Sequence, residues 1–149
     1  MAAVSLIVVR LTELPVSFEP LCLASELEGF EFVRRLEHEW HSGANRFDRR
    51  GELLLGVTRE GVLEAIGGMN QDPYLSDPGI GRVRHVYVLP ERRNAGVGAL
   101  LVRALLEVSI PEFTRIRLRT ANARSHAFYE RLGFLRVTDD PTATHAYPR

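Results

Sequence analysis

The segment from Val83 to Val108 constrains the fold more than any other part of the sequence. Apolar and β-branched residues from Val83 to Val88 predict a strand, which Pro90 ends. From residue 95 to residue 108, apolar side chains recur at helical spacing: Val97, Leu100, Leu101, Ala104, Leu105 and Val108. This spacing predicts a helix with one buried stripe. A strand therefore runs through a turn containing Gly96 and Gly98 directly into a helix.

Strands and helices also mix before this segment. Residues Ser5–Leu11 predict a first strand, and the stretch Glu19–Trp40 predicts two helices separated near Gly29. Two further strand-like runs, Glu52–Val57 and Val62–Met69, are joined by residues 58–61, which predicts a hairpin.

After the central helix, the run Thr114–Thr120 alternates Ile116 and Leu118 with arginines and predicts a strand with one buried face and one solvent face. A short helix is predicted from Ala123 to Leu132, with Asn122 as its N-cap and Gly133 just past its end. Phe134–Val137 begins a last strand, and the tail, Asp139–Arg149, is expected either to form the last strand or to close over the acceptor.

Length and composition bound the architecture. The 149 residues, 45% hydrophobic, suit one domain spanning residues 1–149 and one sizeable core. No linker or repeat is visible, so the predicted class is a mixed α/β (α+β) domain. The formal net charge is zero, which argues against a nucleic-acid partner.

Several chemistries are excluded by residue usage. All 19 basic residues are arginine, so a P-loop lysine, a pyridoxal Schiff base and a lysine nucleophile cannot occur. The single cysteine, Cys22, cannot form an internal disulfide and fits a cytoplasmic protein. The apolar start, Met1–Val9, is far shorter than a membrane span, so no membrane association is expected.

The glycine turn suits an anion. The first N–H groups of a helix lack partners within it and carry partial positive charge, so they stabilise phosphate, and Arg92 and Arg93 would add charge-assisted hydrogen bonds. A dinucleotide fingerprint would need glycine where Leu101 stands, and a P-loop would need Lys-Ser/Thr after Gly98. Both nucleotide-binding readings are therefore disfavoured.

Two motifs, which follow one another along the chain, resemble those of a known protein family. The pattern Val88-x-Pro90-x-x-Arg93-x-x-Gly96-x-Gly98 resembles the coenzyme A signature of the GNAT superfamily of N-acetyltransferases. Asn122-x-x-Ser125-x-x-Phe128-Tyr129-x-x-x-Gly133-Phe134 resembles the second motif of that family. Asn94 and Ser125 depart from the common glycine and alanine, yet both substitutes fit the expected backbone and volume.

The resemblance implies a central, mostly antiparallel twisted sheet of about six or seven strands flanked by about four helices. It also implies acetyl-CoA as cosubstrate, its pantetheine arm beside the strand and its diphosphate on the loop amides. The implied cofactor residues are Val86, Val88, Arg93, Asn94, Ala95, Gly96, Val97, Gly98, Ala99 and Asn122.

For catalysis, the resemblance implies Tyr129 as the general acid that protonates the departing thiolate. The acceptor amine must lose a proton, and Glu64, His85 and Glu91 are the candidate bases or relay groups. Strand alternation places His85 on the opposite side from Val86. The acceptor site is expected between the first two helices and the hairpin, with Glu37, Trp40, Asn45, Arg46 and Phe47 among its residues.

Several alternatives stay open. The leading hypothesis is acetylation of a primary amine on a small molecule, and the alternatives are acetylation of peptide or protein amines and a non-catalytic coenzyme A-binding sensor. A domain whose turn binds nothing is the further alternative. No metal is expected, because His38 and His41 have no evident third ligand. A homodimer is compatible with the resemblance, since family sheets often pair between subunits.

Overall fold

The computed structural model describes residues 5–147. The elements, in chain order, are β1 (Leu6–Arg10), α1 (Glu19–Leu27), α2 (Phe32–Ser42), β2 (Leu53–Arg59), β3 (Val62–Gln71), β4 (Ile80–Val88), α3 (Val97–Ser109), β5 (Arg115–Leu118), α4 (Ala123–Arg131), β6 (Leu135–Arg136) and β7 (His145–Tyr147). Short 3-10 turns span Val16–Phe18 and Pro90–Arg92. Within this range, no helix combines the length and apolar character needed to cross a bilayer.

All seven described strands form one sheet in the order β1-β2-β3-β4-β5-β7-β6. The β4–β5 pair is parallel, and the other neighbouring pairs are antiparallel. A mostly antiparallel seven-stranded sheet with four α-helices confirms the predicted fold class.

The sheet separates two apolar cores. Leu53 and Leu55 of β2 pack into a core with α3, whereas Leu54 between them packs into a second core with α1 and α2. This division follows from the strand period of two, which points successive side chains to opposite faces. Tyr129 of α4 belongs to the α3 core.

The predicted hairpin is confirmed, with a tighter turn than expected. β2 and β3 extend to Arg59 and Val62, so only Glu60 and Gly61 lie between them. Both have positive φ, 53° and 79°, as a two-residue turn that matches strand twist requires. The break between the first two helices also lies where it was predicted, at residues 28–31.

Two expectations about the C-terminal part need correction. Arg117 was predicted on a solvent face of β5, but it is buried, because Asp72 and Asp140 both approach its guanidinium. The strand after Phe134, β6, is short and is not the last one; the tail forms the last strand, which confirms one of the two outcomes expected for it. β7, formed by the tail, lies between β5 and β6 and covers the edge of β5.

Candidate functional site

The sheet is open beside β4. β4 and β5 pair only where Ile80–Arg82 faces Arg115–Arg117, so the remainder of β4, up to Val88, has only β3 as a paired neighbour in the described sheet. A bulge lies in this stretch, because Gly67 of β3 faces both His85 and Val86. His85 has φ of 60° there. The unpaired edge offers main-chain hydrogen-bonding groups to a ligand.

Val86 and Val88 present their main-chain groups to this open edge. The amide of Leu89 donates to Glu64 O on β3 at 2.9 Å. Because the polar groups of successive strand residues alternate in direction, those of Val88 and Val86 face away from β3. The carbonyl of Val88 already accepts from Arg93 Nε at 3.1 Å. Val86 therefore has the freer main-chain groups of the two.

The open edge leads into the N-terminus of α3. Gly96 is the N-cap with φ of 83°, and the first helical bond runs from Leu100 N to Gly96 O at 3.0 Å. The amides of Val97, Gly98 and Ala99 consequently have no helical acceptor. No acidic residue lies in this first turn, and no side chain of residues 5–147 caps it. The positive end of the α3 dipole therefore has no compensating acidic side chain in the first turn of the helix.

The arginine side chains of the loop do not match the sequence expectation. Arg92 Nε lies 3.0 Å from Glu64 Oε1, and Arg93 donates to both carboxylate oxygens of Glu28 at 2.7 Å. Both guanidinium groups are thus paired with carboxylates, so they are not free cations for a phosphate. The Arg93 amide also bonds within the turn, to Pro90 O at 3.4 Å.

Arg124 is the functional candidate that sequence reasoning missed. Its Nη2 donates to Asn94 Oδ1 at 2.7 Å, which brings α4 against the loop. Among the described residues it forms no ion pair, so its charge is available to an anion on the loop. The sequence could not reveal this contact, because Asn94 and Arg124 lie 30 residues apart. The sequence shows only that Arg124 lies two residues after the predicted N-cap, Asn122.

Asn122 caps α4 as predicted. Its Oδ1 accepts from Ser125 N at 2.9 Å, which leaves its amide NH₂ for another acceptor. Phe128, one turn further along, lies where α3 and β4 meet: a Cβ added at Gly98 would be 3.4 Å from its ring and 3.6 Å from Val88. The second motif therefore packs directly against the loop and the open strand.

Tyr129 lies in the α3 core, against Phe128 and Phe134, with ring centroids 5.0 and 5.6 Å away. Its hydroxyl makes no hydrogen bond within residues 5–147. Burial raises the pKa of the phenol above its ordinary value, so the group is protonated at neutral pH. The phenol hydrogen therefore has no acceptor within residues 5–147.

Glu64 and His85 share an unusual property: Glu64 Oε2 and His85 Nε2 are both buried polar atoms that find no hydrogen-bond partner among residues 5–147. His85 contacts the rings of Phe32 and Phe47 in the α1–α2 core, on the other face from Val86. Burial, with smaller effects of Arg84 and Arg35, lowers its pKa to about 3. The imidazole is therefore neutral at physiological pH.

The structure does not bring these two residues together. Glu64 lies opposite Leu89 and binds Arg59 and Arg92 through Oε1. Leu89 lies four positions after His85, a distance of roughly 13 Å along an extended chain. Glu64 thus anchors the turn after β4, whereas His85 lies at the bulge.

A polar cavity of about 350 Å³ lies beside β4 on the α2 side. Arg84 lines it from β4, Asn70 from β3, and Glu39, Asn45 and Arg46 from the end of α2 and the loop that follows. Asn45 and Arg46 were among the predicted acceptor residues. Glu37, Trp40 and Phe47 are not part of this lining.

Comparison with known proteins supports the resemblance to the GNAT superfamily. The family model described as Acetyltransferase (GNAT) family matches residues 15–134. A solved protein from Exiguobacterium sp. 255-15, assigned as an acetyltransferase, has 28% identity and a TM-score of 0.84, covering 95% of this chain and 92% of its own. No curated protein matches the sequence significantly.

Two more distant structures share the fold. An acetyltransferase from Streptococcus agalactiae 2603 has 17% identity and a TM-score of 0.73, covering 95% of this chain and 96% of its own. An acyl-CoA N-acyltransferase from Klebsiella pneumoniae MGH 78578 has 18% identity and a TM-score of 0.66, covering 96% and 97%. The chain belongs to the GNAT family of acetyltransferases and is an acyl-CoA-dependent N-acyltransferase.

Proposed function

We propose that this enzyme transfers an acetyl group from acetyl-CoA to a primary amine on a small molecule. The observation that carries the proposal is the continuity of the open β4 edge with the uncompensated N-terminus of α3. The pantetheine arm of acetyl-CoA is extended and carries amide groups, so it fits the open edge of β4. The diphosphate of acetyl-CoA fits the N-terminus of α3.

The residues present fit acetyl-CoA. Amides from Asn94 to Ala99 would hold the diphosphate, with Arg124 as an added cation. Main-chain groups of Val86 would pair with the pantetheine arm, and the Asn122 amide NH₂ would contact it further along. Arg93 would act by fixing Val88 and the loop rather than by touching phosphate. When bound, the cosubstrate supplies the acetyl group as a thioester.

Tyr129 is the proposed general acid. Its phenol is protonated and has no partner in the described chain, so it can donate to a departing thiolate. Its apolar surroundings also disfavour a buried thiolate, so proton donation there removes a costly charge.

Of the candidate bases, His85 is better placed than Glu64 for a proton relay. It lies at the bulge next to Val86, and its unpartnered Nε2 can bond a water that contacts the amine. With a pKa of about 3 it is a weak base, so we assign it to relay through water rather than to holding the proton. Glu64 is proposed as an anchor for Arg92, and the exposed Glu91 stays a candidate.

A small acceptor is favoured by the size of the cavity beside β4. Its 350 Å³ falls in the usual range for small-molecule sites. We also propose a cytoplasmic location, which the buried, unpaired Cys22 supports.

The test is acceptor-dependent release of coenzyme A from acetyl-CoA, measured across a panel of small amines and basic peptides, with mass spectrometry of the products. We expect acetylated small amines. Acetylated peptides alone would establish the alternative acceptor class, and acetyl-CoA binding without any product would support a sensor.

A further inference from the structure

The cavity beside β4 is lined by a cation, Arg84, that lacks a partner in the described part of the chain. Arg84 is half-buried, lines the cavity, and forms no ion pair or hydrogen bond within residues 5–147. The other arginines near β4 are paired: Arg82 with Asp72, Arg92 with Glu64 and Arg93 with Glu28. A half-buried guanidinium without an anion is costly unless a ligand supplies one.

None of the described carboxylates that line the cavity forms an ion pair with Arg84. Glu52 is fully engaged, because Arg49, Asn70 and the Gln71 amide all donate to it, at 3.0 Å from Asn70 and 2.9 Å from Gln71. Glu39 and Asp48 also line the cavity, from α2 and the loop after it, and neither forms an ion pair with a described residue. Charges of both signs that have no ion-pair partner among the described residues therefore line one cavity.

The position of Arg84 sets where an anion would lie. Arg84 directly precedes His85 and Val86, the bulge residues at the open edge of β4, and its charge contributes to lowering the pKa of His85. An anionic group bound by Arg84 would consequently lie close to the reacting amine. An α-amino acid has this arrangement, with its carboxylate one carbon from its amine.

We infer that the acceptor is a free α-amino acid or a close analogue, with its carboxylate bound by Arg84. Its side chain would extend toward Asn45, Arg46 and Glu39, which favours a polar side chain. This inference rests on the proposed acetyl transfer and names its acceptor class.

The experiment compares three forms of each amino acid as acceptors: the free acid, the α-amide and the decarboxylated amine. We expect the free acid to be acetylated with a kcat/KM about 10- to 100-fold above that of its amide, the factor expected for hydrogen bonds to a charged group. Equal use of acid and amide, or preference for the decarboxylated amine, would overturn the inference and leave acetyl transfer standing. Absence of any product from any amine would contradict the proposed function itself.

Variants separate the role of Arg84 from general damage. In Arg84→Gln, the acid-to-amide preference should fall toward one through a higher KM for the acid, and Arg84→Lys should restore part of it. Arg103→Gln, which removes an exposed arginine of α3, is the matched control and should keep the full preference. An unchanged preference in Arg84→Gln would refute the assignment.

Discussion

Arg93 and Glu28 form a bidentate ion pair, with both N–O distances at 2.7 Å, that ties the end of α1 to the loop before α3. The Tyr87 hydroxyl donates to the same carboxylate at 2.5 Å, and hydrogen bonds from Arg93 hold the pKa of Glu28 below its ordinary value. Arg93 Nε also bonds Val88 O. Arg93, which belongs to the motif that resembles the coenzyme A signature, thus fixes the geometry of the loop before α3.

The first prediction is that Arg93 and Glu28 act as one unit. Arg93→Gln and Glu28→Gln should each weaken acetyl-CoA binding several-fold, and the double variant should be little worse than either single one. Isothermal titration calorimetry on the four proteins gives the coupling. If Arg93 instead bound phosphate directly, its loss would weaken binding far more than the loss of Glu28, and the two effects would add.

The second prediction concerns Tyr129. Tyr129→Phe should lower kcat by about 10²-fold or more, because a positioned general acid typically contributes that much. The KM for acetyl-CoA should change little, since the ring and its packing are kept. Tyr147→Phe is the control, because it removes the hydroxyl of a tyrosine in β7 rather than in α4. Near-normal kcat in Tyr129→Phe would leave Tyr129 as a packing residue only.

The third prediction is a pH dependence of stability caused by His85. Its pKa of about 3 in the folded protein is below the ordinary 6.5, so the unfolded chain binds the proton first as the pH falls. The free energy of unfolding should therefore drop between pH 7 and pH 5, with His85 contributing up to about 2 kcal/mol.

Urea unfolding at the two pH values tests this. His85→Asn removes the titrating group and tolerates the positive φ, so its stability should fall less between the two pH values. An identical fall in wild type and variant would show that His85 does not titrate as described.

The fourth prediction concerns the point where β4 and β5 part. Arg82 of β4 and Arg117 of β5 face each other in the last residue pair of the two strands. Asp72 Oδ2 lies between their guanidinium groups, 3.4 Å from Arg82 Nη1 and 3.6 Å from Arg117 Nε. All three are buried. Asp72→Asn leaves two buried guanidinium groups without this carboxylate, so the free energy of unfolding should fall by about 3 kcal/mol.

Chemical denaturation measures the loss, and Asp139→Asn on the exposed surface should cost under about 0.5 kcal/mol. An Asp72→Asn protein as stable as the Asp139→Asn control would show that the buried triad does not stabilise the strand junction.

The sequence predicted features that depend on neighbouring residues. The helix break near Gly29, the hairpin, the Asn122 cap and the run from β4 through the glycine turn into α3 all follow from local pattern and backbone preference. Strand alternation also placed His85 and Val86 on opposite faces correctly.

Contacts between distant residues could not be predicted in this way. Arg117 was predicted to be solvent-exposed because the alternating pattern of β5 carries no information about contacts with Asp72 and Asp140. Arg93 looked like a phosphate ligand because nothing local reveals Glu28, 65 residues earlier. Arg84 and Arg124 have ordinary sequence neighbours, and only the fold shows that one faces a cavity and the other the loop.

The central claim is that the N-terminus of α3 binds the diphosphate of acetyl-CoA, and a single substitution tests it most directly. Ala95 is exposed and directly precedes the Gly96 N-cap. Ala95→Asp places a carboxylate in the proposed anion site, and it should not destabilise the free protein, because acids suit helix N-termini. Ala95→Asn is the neutral control of the same shape.

The measurement is thermal unfolding with and without acetyl-CoA. We expect a ligand-dependent rise in Tm for wild type and for Ala95→Asn, and its loss in Ala95→Asp with the ligand-free Tm unchanged or higher. A full rise in Ala95→Asp, or no rise in wild type at saturating acetyl-CoA, would contradict the assignment.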